Sequence, residues 1–101
     1  MTKSDFETAT TLLKDKFGEI ASANYNDKSF GSWFVELKAN PRLRLLWDGK
    51  EGQLNVQRIS KELFNGFPVW DNLWIEAAPK DIRATLLAAM VQLQHLKSGA
   101  V

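Results

Sequence analysis

Histidine and cysteine, which often act as nucleophiles, bases or metal ligands, are almost absent from this chain. His95 is the only histidine, and the lack of cysteine excludes disulfides, zinc fingers and cysteine nucleophiles. A catalytic histidine needs an orienting group beside it, and the sequence neighbours of His95 supply none. We therefore predict that the protein has no catalytic residue and is not an enzyme.

Two pairs of carboxylates are close enough in sequence to suggest metal or acid–base chemistry: Asp48 with Glu51, and Asp71 with Glu76. Neither pair has the alternating oxygen ligands of a calcium loop, and Asp48 followed by Gly49 is also a common hairpin turn. A glycine-rich phosphate loop is absent, because Gly49 precedes a predicted strand and not a helix. The sequence predicts no metal site and no cofactor.

Basic residues are concentrated in the middle of the chain, although the formal net charge of the whole chain is only +1. The region from Glu36 to Lys61 carries an excess of arginine and lysine, and Arg42 and Arg44 fall on the predicted outer face of a sheet. Such a face suits an acidic protein partner or single-stranded nucleic acid. We rank nucleic acid second, because Phe34 is the only aromatic side chain predicted on that face.

The four tryptophans divide into two groups. Trp33 and Trp47 alternate with polar residues in predicted strands and are assigned to the core. Trp70 and Trp74 lie in a proline-containing segment, where Trp74 points away from the core if Leu73, Ile75 and Ala77 form the buried face. Exposed tryptophans often anchor protein interfaces. The other interpretation is that Trp70 folds over the edge of the core.

These observations define a predicted partner-binding set drawn from the basic cluster and the tryptophan segment. It consists of Phe34, Arg42, Arg44, Lys50, Trp70, Asp71 and Trp74. A small-ligand pocket lined by Phe17, Trp33, Trp47 and Phe64 is an alternative, but protein interiors are usually close-packed.

Helices are predicted at both ends of the chain. Residues 4–23 carry apolar side chains at steps of three and four, and Ser4 with Glu7 has the spacing of a capping box. The second helix is predicted from Pro79 to about Leu96, since proline suits the first helical position and the following apolar positions form a wide stripe.

Three antiparallel strands are predicted between residues 32 and 59. Alternation of apolar and polar residues places Trp33 opposite Trp47, Leu45 opposite Val56, and Glu36 opposite Arg44. Residues 60–66 are predicted either as a helical turn ended by Gly66 or as a continuation of the third strand. A short fourth strand is expected at residues 73–77.

The predicted fold class is α+β in a single domain over residues 1–101. An antiparallel meander of three to four strands carries the N-terminal and C-terminal helices on one face.

Two segments, residues 32–37 (SWFVEL) and 42–50 (RLRLLWDGK), give the chain a resemblance to a class of small α+β proteins. Together with the compact size, they resemble the small bacterial immunity proteins that neutralise contact-dependent or polymorphic toxins. The resemblance implies a one-to-one complex with a cognate toxin domain. Those families share no single motif, so the resemblance assigns no functional residue. The near-neutral charge favours contact outside a nuclease active site over mimicry of nucleic acid.

The compartment and assembly state are predicted from the same composition. The N-terminal residues lack a signal-peptide pattern, and the longest apolar run, residues 86–91, is too short to cross a bilayer. We expect a cytoplasmic protein that has no membrane partner and is a monomer or a homodimer.

Overall fold

The protein folds as two helices and a single antiparallel sheet in a computed structural model. Residues 1–39 and 42–98 are described, and the side chains of residues 61–64 and 98 lie outside that description. The elements, in chain order, are α1 (Lys3–Phe17), β1 (Ile20–Asn26), β2 (Ser32–Leu37), β3 (Leu43–Asp48), β4 (Gln53–Phe64), β5 (Phe67–Ala77) and α2 (Ile82–Ser98). The predicted α+β class with a helix at each end is confirmed.

The described sheet contains five strands, not three to four, and their spatial order is the same as their chain order. One additional strand, β1, comes from residues 20–23, predicted to end the first helix, and from residues 24–26, predicted to be part of a polar turn. That helix instead stops at Gly18, and residues 20–26 pair with β2. The apolar spacing that predicted the helix continued to Ile20 and Ala21, but pairing with the edge of β2 satisfies the backbone of this segment instead.

The start of α1 also differs from the prediction. The capping box is formed by Thr2 and Asp5, not by Ser4 and Glu7. The Thr2 hydroxyl oxygen accepts a hydrogen bond from the Asp5 backbone at 3.2 Å, and the Asp5 carboxylate accepts one from the Thr2 backbone at 2.7 Å. The helix therefore begins at Lys3, one residue earlier than predicted.

The predicted register of the central strands is confirmed. Trp33 lies opposite Trp47, Leu45 lies opposite Val56, and the α-carbon of Glu36 lies opposite that of Arg44. One face of the sheet is buried because alternate residues of these strands, nearly all of them apolar, point toward the helices.

Strands β4 and β5 form a long hairpin whose turn is Asn65-Gly66. Both turn residues have positive φ, 51° and 81°, as a type I′ hairpin turn requires. The helical-turn interpretation of residues 60–66 is wrong, and continuation of the third predicted strand is confirmed. Pro68 is tolerated because β5 is an edge strand of the described sheet.

The core lies between the helices and one face of the sheet. Its buried apolar residues come from both helices and the three central strands: Ala9, Leu13, Trp33, Val35, Leu37, Leu43, Leu45, Trp47, Leu54, Val56, Leu86, Ala89 and Leu93. Trp33 and Trp47, proposed to line a ligand pocket, are packed within this cluster. Phe64, the fourth proposed lining residue, has a side chain outside the description.

The faces of β5 are the reverse of the prediction. Trp74 lies opposite Val56 and packs against the core, whereas Leu73 and Ile75 are 39% and 49% exposed. Pairing with the buried Val56 turns Trp74 toward the helices, and a register shift between Val56 and Gln57 lets Trp70 and Trp74 face opposite sides of the sheet. A bulge changes which residues share a face, and strict alternation along the sequence does not reveal it.

The β3–β4 loop is locked by its own side chains and by the β1–β2 turn. The Asp48 carboxylate accepts hydrogen bonds from the backbone of Lys50 and Glu51, each at 3.1 Å. The Gly49 backbone donates to the Ser32 hydroxyl at 2.9 Å. A β-carbon on Gly49 would overlap the carbonyl oxygen of Phe30, so only glycine fits at this contact.

We expect Gly49→Ala to lower the free energy of unfolding by about 1–3 kcal/mol, because the added methyl group forces the two turns apart. Urea denaturation followed by tryptophan fluorescence measures the change. Lys50→Ala, in the same loop but exposed, is the control and should change stability by less than about 0.5 kcal/mol. Equal unfolding midpoints for both variants would contradict the close contact.

Candidate functional site

The sheet face opposite the helices, called here the outer face, is covered by no helix of the described chain. It is built from alternate residues of β2–β5 and from Arg42, which directly precedes β3. Its members are Phe34, Glu36, Arg42, Arg44, Leu46, Gln53, Asn55, Gln57, Trp70, Asn72 and Ile75. Because no helix layer covers this face, its polar side chains must find partners among themselves or in water.

Arg42 and Glu36 form a two-pronged ion pair. Arg42 Nε donates to Glu36 Oε2 at 2.8 Å, and Nη2 donates to Oε1 at 3.0 Å. The hydrogen bond and charge of Glu36 raise the pKa of Arg42 above its usual value. Although Glu36 lies opposite Arg44 in the strand register, its carboxylate is bound by Arg42, so cross-strand pairing alone did not identify the salt-bridge partner.

Arg44 is held by stacking and by one hydrogen bond. Its guanidinium carbon lies 4.1 Å from the ring centre of Trp70 and 5.7 Å from that of Phe34. Its Nε donates to Gln57 Oε1 at 2.6 Å. Burial lowers the pKa of Arg44, with Glu36 opposing this effect and Arg42 adding to it. Arginine remains charged at neutral pH even so.

Gln57 connects this arginine to the edge of the sheet. Its Nε2 donates to Asn72 Oδ1 at 2.6 Å while its Oε1 accepts from Arg44. Gln57 is only 7% exposed, so little water reaches its side chain. Both ends of its amide nevertheless have hydrogen-bond partners. The hydrogen bonds thus tie β3, β4 and β5 together on the outer face.

Four of the predicted binding residues meet in one place. Arg42 and Arg44 both lie over the Trp70 ring, at 5.3 Å and 4.1 Å, and Arg44 also faces Phe34. These four side chains, Phe34, Arg42, Arg44 and Trp70, are named the arginine–aromatic cluster. Trp70 and Phe34 are partly buried, Arg44 is half-buried, and Arg42 is exposed.

The other three predicted residues lie elsewhere. Lys50 is exposed in the β3–β4 loop, beyond the opposite end of β3 from Arg42. Asp71 is exposed and lies opposite Arg58 in the β4–β5 register. Trp74 faces the helices and packs on the core, which corrects the prediction that it points away from them. The cause is its pairing with the buried Val56.

Sequence reasoning missed the bridging role of Gln57 and the contribution of Asn72. The signal that would have found them is Asn65-Gly66 between two alternating segments, the strongest short-range indication of a hairpin. A continuous hairpin around that turn places Trp70 and Asn72 beside β4, next to the arginines of β3.

Other surface features carry less chemistry. A groove of about 390 Å³ on the helix side is lined by Lys16, Leu87, Met90, Val91, Gln94 and His95. His95 is exposed there, and the described residues contain no group of histidine and carboxylate side chains able to hold a metal ion. Of the described helices, neither α1 nor α2 is long and apolar enough to cross a membrane.

Comparisons with protein-family models, curated proteins and solved structures find no significant match to this chain. The function proposed below therefore rests on the contacts of the outer face.

We expect Gln57→Ala to lower the free energy of unfolding by about 1–3 kcal/mol, because it leaves Arg44 Nε and Asn72 Oδ1 without their partner. Thermal or urea unfolding measures the loss. Gln53→Ala is the matched control, since Gln53 lies on the same face of the same strand and its side chain is only partly buried. Similar losses for the two variants would show that the Gln57 bridge contributes no specific stability.

Proposed function

We propose that this chain is a non-enzymatic binding module that holds one partner protein on its outer face. The observation that carries the proposal is the arginine–aromatic cluster on a sheet face that no described helix covers. Tryptophan and arginine are the residues most enriched among energetic anchors of protein interfaces. Ile75, which is 49% exposed on the same face, adds apolar surface for a partner to cover.

The cluster is already ordered by its own contacts. Trp70 stacks on Arg44, and Arg44 is tied to Gln57 by a hydrogen bond of 2.6 Å. Side chains held in place before binding lose less conformational entropy when a partner arrives. This order supports a specific interface on the outer face.

Two features of the cluster favour a protein over nucleic acid. Binding of single strands depends on aromatic rings that are free to stack on bases, but Arg44 lies only 4.1 Å from the centre of the Trp70 ring. In addition, Arg42 is already paired with the Glu36 carboxylate, so the cluster does not offer the row of unpaired cations that binds a chain of phosphates. Nucleic acid is therefore the second candidate.

We further propose that the partner is a toxin domain, which the module neutralises as a stoichiometric complex in the bacterial cytoplasm. Support comes from the resemblance of residues 32–37 and 42–50 to immunity proteins. It also comes from the small α+β fold with one uncovered sheet face. The module acts as a monomer or as a homodimer joined at a free sheet edge, since β1 and β5 are the outermost strands of the described sheet.

The test is affinity purification of the tagged protein from its own cells, followed by mass spectrometry. We expect one protein to co-elute in stoichiometric amount. Trp70→Ala should weaken its binding by roughly thirtyfold, the loss typical of an interface anchor. Ile75→Asp, which adds a charge to the outer face without touching the cluster, should also weaken binding.

Lys14→Ala is the control, because it removes an exposed charge on α1, away from the outer face. Circular dichroism of each variant separates loss of binding from loss of folding. Retention of the partner by both outer-face variants would overturn the proposed location. Elution of nucleic acid that is lost on raising the salt concentration would favour the second candidate instead.

A further inference from the structure

We infer that the outer face contains a carboxylate-binding site formed by the two Nη nitrogens of Arg44. This inference rests on the proposed function and names the chemical group that the partner presents to the outer face.

Arg44 has hydrogen-bond donors that its described contacts leave unused. A guanidinium has five N–H groups, and in Arg44 only Nε is used, by Gln57. Among the described residues, neither Nη nitrogen of Arg44 donates to a protein group. The pair of Nη nitrogens therefore presents four N–H groups at the end of the side chain.

The orientation of this fork is set before any ligand arrives. The guanidinium carbon of Arg44 lies over the Trp70 ring, 4.1 Å from its centre. The hydrogen bond from Arg44 Nε to Gln57 restricts rotation at the end of the side chain. Gln57 is itself held by Asn72. A planar, fixed fork matches the two oxygens of a carboxylate, which an arginine binds with two parallel hydrogen bonds.

The charge balance points the same way. Both oxygens of the Glu36 carboxylate are bound by Arg42, and no described hydrogen bond joins Glu36 to Arg44. Arg44 is partly buried, and this burial removes part of its hydration and lowers its pKa; pairing with an anion compensates for that loss. Among the described residues, the charge of Arg44 has no ion-pair partner within salt-bridge distance, and a single carboxylate would match it.

The same surroundings disfavour a phosphate or a polyanion. A phosphate group carries up to two charges and takes further donors, whereas Arg42, the neighbouring arginine, is already engaged by Glu36. The cluster is therefore suited to one carboxylate from an acidic protein segment.

Nuclear magnetic resonance of the arginine side chains tests this site directly. The probes are an oligoglutamate peptide blocked at both ends, an oligoglutamine peptide with a free C-terminus, the same oligoglutamine peptide with an amidated C-terminus, inorganic phosphate and a short RNA. We expect the Arg44 side-chain resonances to shift with a carboxylate-bearing peptide and not with the amidated oligoglutamine. Arg44→Lys keeps the charge but loses the planar fork, and should weaken peptide binding roughly tenfold.

A response to blocked oligoglutamate supports the site and identifies a side-chain carboxylate as the ligand. A response to oligoglutamine only when its C-terminus is free supports the site and identifies a C-terminal carboxylate. Stronger responses to phosphate or RNA than to either peptide would overturn the inference, as would an absence of response from Arg44. Arg58→Lys, which alters an exposed arginine on β4, is the matched control and should bind normally.

The inference and the proposed function fail in different ways. If the purified partner is lost on Trp70→Ala and Ile75→Asp but retained on Arg44→Lys, the outer face binds protein and the carboxylate site is wrong. If no partner depends on the outer face, the proposed function fails, and the peptide experiment reports on Arg44 independently.

Discussion

Burial of one sheet face against both helices is the constraint on which the other features of the molecule depend. Trp33, Val35 and Leu45 are almost completely buried under α1 and α2, and this alternation determines the register of the three central strands. Because both helices pack on the same side, the described chain has no helix layer for the opposite face. Stability and function on that face must therefore come from the strands' own side chains.

The long β4–β5 hairpin supplies much of what a second layer would provide. It brings Trp70 over Arg42 and Arg44 and places Asn72 beside Gln57. Gln57 and Asn55, although polar, are 7% and 4% exposed, and their amide groups are hydrogen-bonded within the sheet. The hydrogen bond that satisfies the Gln57 oxygen also holds Arg44 in a fixed position. Stability and readiness to bind thus have the same structural source, which is why the outer face, and not the helix-side groove, is the functional candidate.

A function argued from one face of a small domain depends on the chemistry of that face, because a fold alone does not specify a function. Three local features of the outer face carry the proposal. Arg42 is paired with Glu36, and the Arg44 guanidinium lies over the Trp70 ring. The Nη nitrogens of Arg44 have no partner among the described residues. This arrangement is the basis on which we propose recognition of an acidic protein segment.

The sequence by itself determined the α+β class, the central strand register and the buried face, because alternation of large apolar residues leaves one arrangement that hides them from water. It also placed Phe34, Arg42 and Arg44 on the outer face. Only the tertiary structure decided that residues 20–26 form a strand, that Trp74 faces the core while Trp70 covers the arginines, and that Glu36 binds Arg42 instead of Arg44. Each of these outcomes depends on a helix end, a register shift or a side-chain direction set by neighbouring strands. Such contacts join residues far apart in sequence, and local periodicity carries no information about them.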